Sequence, residues 1–440
     1  MPGGGAPEVR DPGFRINGPR LLEDIAALGE VGRTPDGGVE RLAFTPADGL
    51  GRDLVKGWME AAGLEVRVDG IGNVIGRRNG AGDPARAAVM LGSHIDTVGN
   101  GGRYDGNLGV LAALEVVRTL NDHQVETGRP LEIGAFSNEE GSRYHPDMMG
   151  SLVYTGGMGV AAAQALVSPD GEGQTLGDEL AAIGYRGEAP LPGPVPAAYA
   201  ELHIEQGPVL EAEGLGLGAV TGVQGILWEE ITLTGRANHA GTTPMRFRTD
   251  AGVVMAEAVL LLRRLATGIP DQVATVGRAR LWPGLTNVVP GRVEFTIDLR
   301  NPDPARLDEA TERFFTGLDN AAAKEGVTVA RRELAQFGPA VFDERVISLV
   351  EAVAGHLGRS CRRMPSGAGH DAQMFSRVCP TGMIFIPSVG GVSHSPREYS
   401  SDEDVVAGGN ALLLTAVSLL AADGPPTSVR DAPAGASRRE

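Results

Sequence analysis

The stretch LEIGAFSNEEGSRY, residues 131–144, carries an apolar run that stops on two adjacent glutamates, Glu139 and Glu140. At a strand end neighbouring side chains point to opposite sides, so the two carboxylates can serve different tasks. Three more acid or acid–histidine groups stand at comparable places. In GSHIDTV, His94 and Asp96 are two apart. Residues i and i+2 of a strand share a face, which lets the Asp96 carboxylate hold the His94 ring in one tautomer. In GGRYDGNLGV, Asp105 precedes a helix in a glycine-rich turn, and ELHIEQGP carries His203, Glu205 and Gln206. Far downstream, VSHSPREYS adds His394. Each group alone has an ordinary explanation: a solvated acidic face, a simple turn, a packed histidine. His123, His145 and His356 have no partner pattern and keep that explanation. The joint occurrence is harder to dismiss, because His94, His203 and His394 all stand just beyond apolar, strand-like runs.

Histidine, aspartate and glutamate without cysteine suit a divalent ion such as Zn²⁺, Mn²⁺ or Co²⁺. A carboxylate bridging two ions about 3.5–4 Å apart would make a two-metal hydrolytic site. One glutamate of the pair would then bind metal, while the other, pointing away, activates the attacking water.

Such groups need a scaffold that brings strand ends together. GPRLLEDIAALGEV and DGLGRDLVKGWMEAAGL have helical apolar spacing, and LEVRVD reads as a strand. The strand AAVMLGSHIDTV, the helix GVLAALEVVRTLND and the strand LEIGAFS follow in turn. This alternation predicts a largely parallel sheet with helices on both faces. Ligands bind such sheets at the carboxyl ends of their strands. The texture changes near Gly218. From there the order reads as a small β-α-β-β-α-β unit inserted in the chain, with a helix from about Asp250 to Ala266. After it come the helix DERVISLVEAVAGHLG, the apolar GMIFIPS and a closing helix from about Asp402 to Ala422. The expected organisation is a catalytic domain over residues 14–217 and 334–422, interrupted by an inserted domain over 218–333. Residues 1–13 and 423–440, rich in Gly, Pro, Ala and charge, are expected to be disordered.

At 440 residues the chain can bury a large core. A net charge of −17 argues against nucleic acid and anionic membrane surfaces as partners. No apolar run suggests a bilayer span, and MPGGGAPEVRDPG lacks the core of a signal peptide. Cys361 and Cys379 form no CxxC pattern and read as buried free thiols of a reducing compartment, the cytoplasm by default.

Taken in order, GGVERLAFT, GNVIGRR, GSHIDTV, GGRYDGNLGV, NEEGSRY, HIEQGPVLE, NHAGTTPM, LTNVVPG, DLR, PSGAGHDAQ and SHSPREYS are highly specific. Across roughly residues 20–422 the chain resembles the amidase/hydantoinase-carbamoylase branch of the dinuclear metallohydrolases, which are related to aminoacylases and zinc carboxypeptidases. That branch includes N-carbamoyl-L-amino-acid hydrolases, β-ureidopropionases and allantoate amidohydrolases. The resemblance implies an α/β catalytic domain with a mostly parallel mixed sheet flanked by helices. It also implies a ferredoxin-like α+β insert acting as lid and homodimerisation domain. Two divalent ions per subunit are implied, Zn²⁺ or Mn²⁺ with Co²⁺ or Ni²⁺ as further candidates. His94 and His203 would bind one ion and Glu140 and His394 the other, with Asp105 bridging. Glu139 would be the general base and Asp96 the support of His94. His239, Asn287 and Arg300 match positions that bind substrate or polarise the scissile carbonyl, and Gln206 and His370 match further substrate contacts.

Arg300 could clamp a substrate carboxylate with two parallel hydrogen bonds; its bland alternative is a surface ion pair. His239, in a glycine-bounded turn, could stabilise an oxyanion, or be a solvent-exposed loop histidine. One departure is visible: GSLVY, with Leu152, follows EEGSRY where the family commonly has a polar step, which bears on substrate selection rather than metal binding. The implied reaction is hydrolysis of a linear ureido amide that carries a carboxylate. An N-carbamoyl-L-amino acid would yield the L-amino acid, ammonia and carbon dioxide. Allantoate is the alternative substrate, and an aminoacylase or dipeptidase on the same scaffold is the further rival.

Overall fold

The computed structural model describes residues 8–169 and 173–421. These form two compact units, one running to Thr221 and resuming at Val341, the other Gly222–Ala340. Of the segments expected to be disordered, residues 1–7 and 423–440 lie outside the described residues, as does residue 422 of the expected closing helix. Residues 8–13 are placed: Arg10 N donates to Ser418 Oγ at 2.9 Å, and Asp11 accepts from Arg15 at 2.9 Å and meets His356 Nε2 at 2.6 Å.

The first unit is α/β. At the centre of its sheet lie four parallel strands, in spatial order Leu131–Phe136, Val89–His94, Ala198–Ile204 and Thr381–Ile386. Every residue of all four is buried, so they read as apolar runs without alternation. Antiparallel strands extend both sides, Val74–Arg78 beside the first and Leu217–Val223 beside the last. The change of texture near Gly218 therefore falls inside a strand of this sheet. The helices Asn107–Asp122, Glu344–His356 and Asp402–Ala421 pack against the central strands. Asp402–Ala421 is apolar and long enough to cross a bilayer by length and composition, which corrects the expectation that no apolar run approaches the length of a bilayer span. Here most of it is buried as a core helix of this unit.

The second unit has the order strand Gly225–Thr234, helix Ala251–Gly268, strands Val273–Trp282 and Arg292–Asn301, helix Pro304–Glu325, strand Thr328–Phe337. These four strands form one sheet, all antiparallel, beside a short antiparallel pair, Asn238–His239 with Val288–Val289. Along Arg292–Asn301 the residues Val293, Phe295, Ile297 and Leu299 are buried between more exposed neighbours, the period of a one-sided sheet. Val254, Ala258, Leu262 and Leu265 on one helix, with Leu307, Ala310, Phe314 and Leu318 on the other, cover that face at helical spacing. Asp250 and Asp303 cap the two helices, accepting from Gly252 N and Ala305 N at 2.9 Å each.

Candidate metal centre

The central strands of the first unit deliver their chemistry where they end. Val89–His94 stops at His94, and the chain then leaves the extended path. The i, i+2 face rule no longer applies beyond that point, which corrects the expected contact between the Asp96 carboxylate and the His94 ring. His94 Nδ1 instead pairs with the main-chain oxygen of Asp96 at 2.9 Å. The Asp96 carboxylate accepts from Glu139 N and Glu140 N, both at 3.3 Å, and so seats the loop that carries the glutamate pair. His203 Nδ1 pairs with Ile204 O at 2.9 Å in the same manner. An imidazole that gives its Nδ1 proton to a carbonyl keeps a lone pair on Nε2, the form that binds metal. His203 Nε2 accepts from Gly106 N at 3.2 Å, as that tautomer requires.

Both Nε2 atoms face Asp105, whose Oδ1 lies 3.6 Å from His94 and 3.2 Å from His203. Its other oxygen, Oδ2, lies 3.3 Å from His394 Nε2, which is also 3.4 Å from Glu140 Oε2. The donor atoms of His94, Asp105 and His203 fall within 4.8 Å of one another, and so do those of Asp105, Glu140 and His394. Asp105 is common to both groups. Gly106 makes the approach possible: its φ is +63°, and a Cβ there would stand 2.4 Å from His94 Nε2.

Glu139 Oε2 lies 3.4 Å from His94 Nε2. Burial pushes the Glu139 carboxyl well above the usual range. Burial, then the Asp105 charge, pushes Glu140 up to about 8. The hydrogen bond with Asp105 and the Glu140 charge lift His394 to about 9. Asp105, although buried, is held well below its ordinary value by the imidazoles of His203, His394 and His94 that surround it. Carboxylates at this density call for positive charge, which a divalent cation can supply. Glu140 Oε1 is buried without a hydrogen-bond partner. Imidazole nitrogens and carboxylate oxygens with no thiolate fit ions of the Zn²⁺ or Mn²⁺ type.

Two expected substrate contacts join this centre. Gln206 donates through Nε2 to Asp105 Oδ2 at 2.8 Å, and its Oε1 has no partner. The buried His370 ring sits against His203, with centroids 4.5 Å apart, and its Nδ1 also lacks a partner. Glu205, by contrast, accepts from Val209 N and Leu210 N, closing a short helix. The other three belong to the second unit. His239 and Asn287 adjoin there, because Ala240 N donates to Asn287 O at 2.9 Å. His239 Nδ1 accepts from Gly241 N and Thr242 N at 3.0 and 3.2 Å, which leaves Nε2 as the N–H of a neutral ring. Arg300 pairs with Asp298, Nη2 to Oδ2 at 2.9 Å, as i, i+2 neighbours on a strand can.

Three buried acids were passed over in the sequence. Glu201 accepts from Ser93 Oγ, Tyr199 Oη and Ala372 N at 2.7, 3.2 and 2.9 Å. Asp371 follows His370, its carboxyl pushed up to about 8 by burial and then by Glu201. Glu398 accepts from Tyr104 N and Asp105 N. The only signal for Glu398 is its place in SHSPREYS, a motif read for its histidine. Cys361 and Cys379 are free thiols, but Cys361 is half-buried rather than buried.

Residues 90–418 match the model of peptidase family M20/M25/M40, and the chain belongs to that family. It is 41% identical over 405 residues to an N-carbamoyl-L-amino acid amidohydrolase of Geobacillus stearothermophilus, covering 91% of this chain and 98% of that one. An allantoate amidohydrolase of Bacillus subtilis is 38% identical, covering 89% and 95%. A crystal structure of a hydantoinase/carbamoylase family amidase from Burkholderia multivorans superposes with a TM-score of 0.89 at 42% identity, covering 93% and 99%.

Proposed function

We propose that this protein is a metal-dependent amidohydrolase acting on a carbon–nitrogen bond of a linear ureido compound, with N-carbamoyl-L-amino acids as the substrate class. The carrying observation is Asp105, one oxygen turned to His94 and His203 and the other to His394. On this reading His94 and His203 would hold one divalent ion and Glu140 and His394 a second, with Asp105 within reach of each. When bound, such a pair would polarise the carbamoyl carbonyl and acidify water.

The chain's own groups do the rest. Glu139, which accepts no metal in this scheme, takes the proton of the attacking water and returns it to the departing nitrogen. Gln206 Oε1 offers an acceptor for a carbamoyl N–H. His239 contributes its Nε2–H to the developing oxyanion, with Asn287 beside it, and Arg300 pairs with the substrate carboxylate. One water and one carbamoyl amino acid give the amino acid, carbon dioxide and ammonia. The same reading carries a homodimer through the second unit, where Trp228, Leu260, Leu281 and Trp282 are exposed. It also carries a cytoplasmic location, in keeping with two free thiols.

Allantoate is the second reading, favoured by the Bacillus subtilis relative at nearly the same identity. Ammonia release should be measured on stripped enzyme reloaded with Mn²⁺ or Zn²⁺, against a panel of N-carbamoyl amino acids and allantoate. Release that depends on added metal, greatest with a carbamoyl amino acid, is expected. Greater release from allantoate selects the second reading, and silence across the panel, with turnover of dipeptides or N-acyl amino acids, rejects both.

A further inference from the structure

Glu398 is buried and receives three hydrogen bonds. Tyr104 N and Asp105 N donate to Oε1 at 3.0 and 3.1 Å, and Ser393 Oγ donates to Oε2 at 2.8 Å. The loop is built around this carboxylate, since a Cβ on Gly102 would lie 2.0 Å from Glu398 Oε1. Glu398 therefore ties the segment holding Asp105 to the segment holding His394.

The same Ser393 hydroxyl lies 3.3 Å from Asp105 Oδ2. A hydroxyl has a single proton to donate. That oxygen of Asp105 already accepts from Gln206 Nε2 at 2.8 Å and faces His394 Nε2. We infer that Glu398 is a positioning residue which draws the Ser393 proton away from Asp105 Oδ2, sparing that oxygen a second donor that would compete with the cation held with Glu140 and His394. A carboxylate only accepts, so Ser393 must donate to it. An amide in its place would keep one oxygen for the two backbone N–H groups and present N–H to Ser393. The hydroxyl would then turn its proton onto Asp105 Oδ2 and compete with the cation.

This inference rests on the two-ion reading, and one titration separates their failures. Metal-stripped enzyme would be titrated with Mn²⁺ by calorimetry, giving stoichiometry and both dissociation constants for wild type, Glu398→Gln, Ser393→Ala and the double variant. Thermal unfolding would confirm that each is folded. Glu398→Gln is expected to weaken the second ion by about 10–100-fold, the usual effect of losing an outer hydrogen-bond partner of a metal ligand. Ser393→Ala should hold both constants within about threefold, and in its background Glu398→Gln should do no further harm. Two ions in wild type with no loss in Glu398→Gln, or a loss that persists without the hydroxyl, overturns the inference. A tenfold loss in Ser393→Ala overturns it as well, whether or not Glu398→Gln folds. A single ion in wild type sinks the two-ion reading itself and takes the inference with it.

Discussion

Glu139 and Glu140 are neighbours that face different partners, which suits the separate duties proposed for them. Glu140 faces His394 across 3.4 Å, while Glu139 turns to His94, and both amides hang from the Asp96 carboxylate. Glu139→Gln should therefore lower kcat by about 10²–10⁴-fold, the span of general acid–base catalysis, with metal content unchanged. Equal loss of metal and turnover would make Glu139 a ligand. Arg300 begins paired with Asp298, so a substrate carboxylate must displace or share that partner. Arg300→Ala should raise KM at least about tenfold, since a hydrogen bond to a charged group contributes about 1.5–3 kcal/mol, with kcat nearly kept. An unchanged KM would remove Arg300 from substrate binding.

Strand ends and the turns beyond them set the positions of these side chains, and the turn at Gly106 stands directly against a candidate ligand. Gly106→Ala places a methyl 2.4 Å from His94 Nε2 on a backbone with φ +63°. It should destabilise the protein by more than about 1 kcal/mol and lower metal occupancy at the His94–His203 pair, read by metal analysis beside thermal unfolding. Near-normal occupancy would show that the turn can open without cost. What was legible at this scale followed from periodicity. The buried strands announced themselves as apolar runs, and the helices Ala251–Gly268 and Pro304–Glu325 by their spacing. The short elements Met149–Tyr154 and Cys361–Ser366 were not legible, because so few residues carry no period. The candidate ligands could be read because His94 and His203 lie at strand ends and Glu140 just past one. The Asp96 contact was misread because strand alternation was extended past the strand's end, and Glu398 was missed because two of its three partners are backbone amides, which leave no trace in side-chain spacing.

Across the whole molecule the candidate ligands belong to one unit only, while the other has its own closed core from Leu227 to Val327. Ligand binding stabilises what it binds by mass action. Chelation should therefore increase amide hydrogen exchange around Val89–His94, Ala198–Ile204 and the 394–398 loop, and leave Arg292–Asn301 unaltered. Equal loosening of both units would show that they unfold as one. The order of strands has a consequence for biosynthesis. Thr381–Ile386 lies between Ala198–Ile204 and Leu217–Val223 in the sheet, yet it leaves the ribosome more than a hundred residues after either. Until then the nascent sheet has a long apolar edge with unpaired amides, a template for joining another chain. A chain ending before Thr381 should accumulate as aggregate rather than as apoenzyme, and because His394 follows that strand closely, closing the sheet edge and completing the proposed metal centre fall to the same late-made segment.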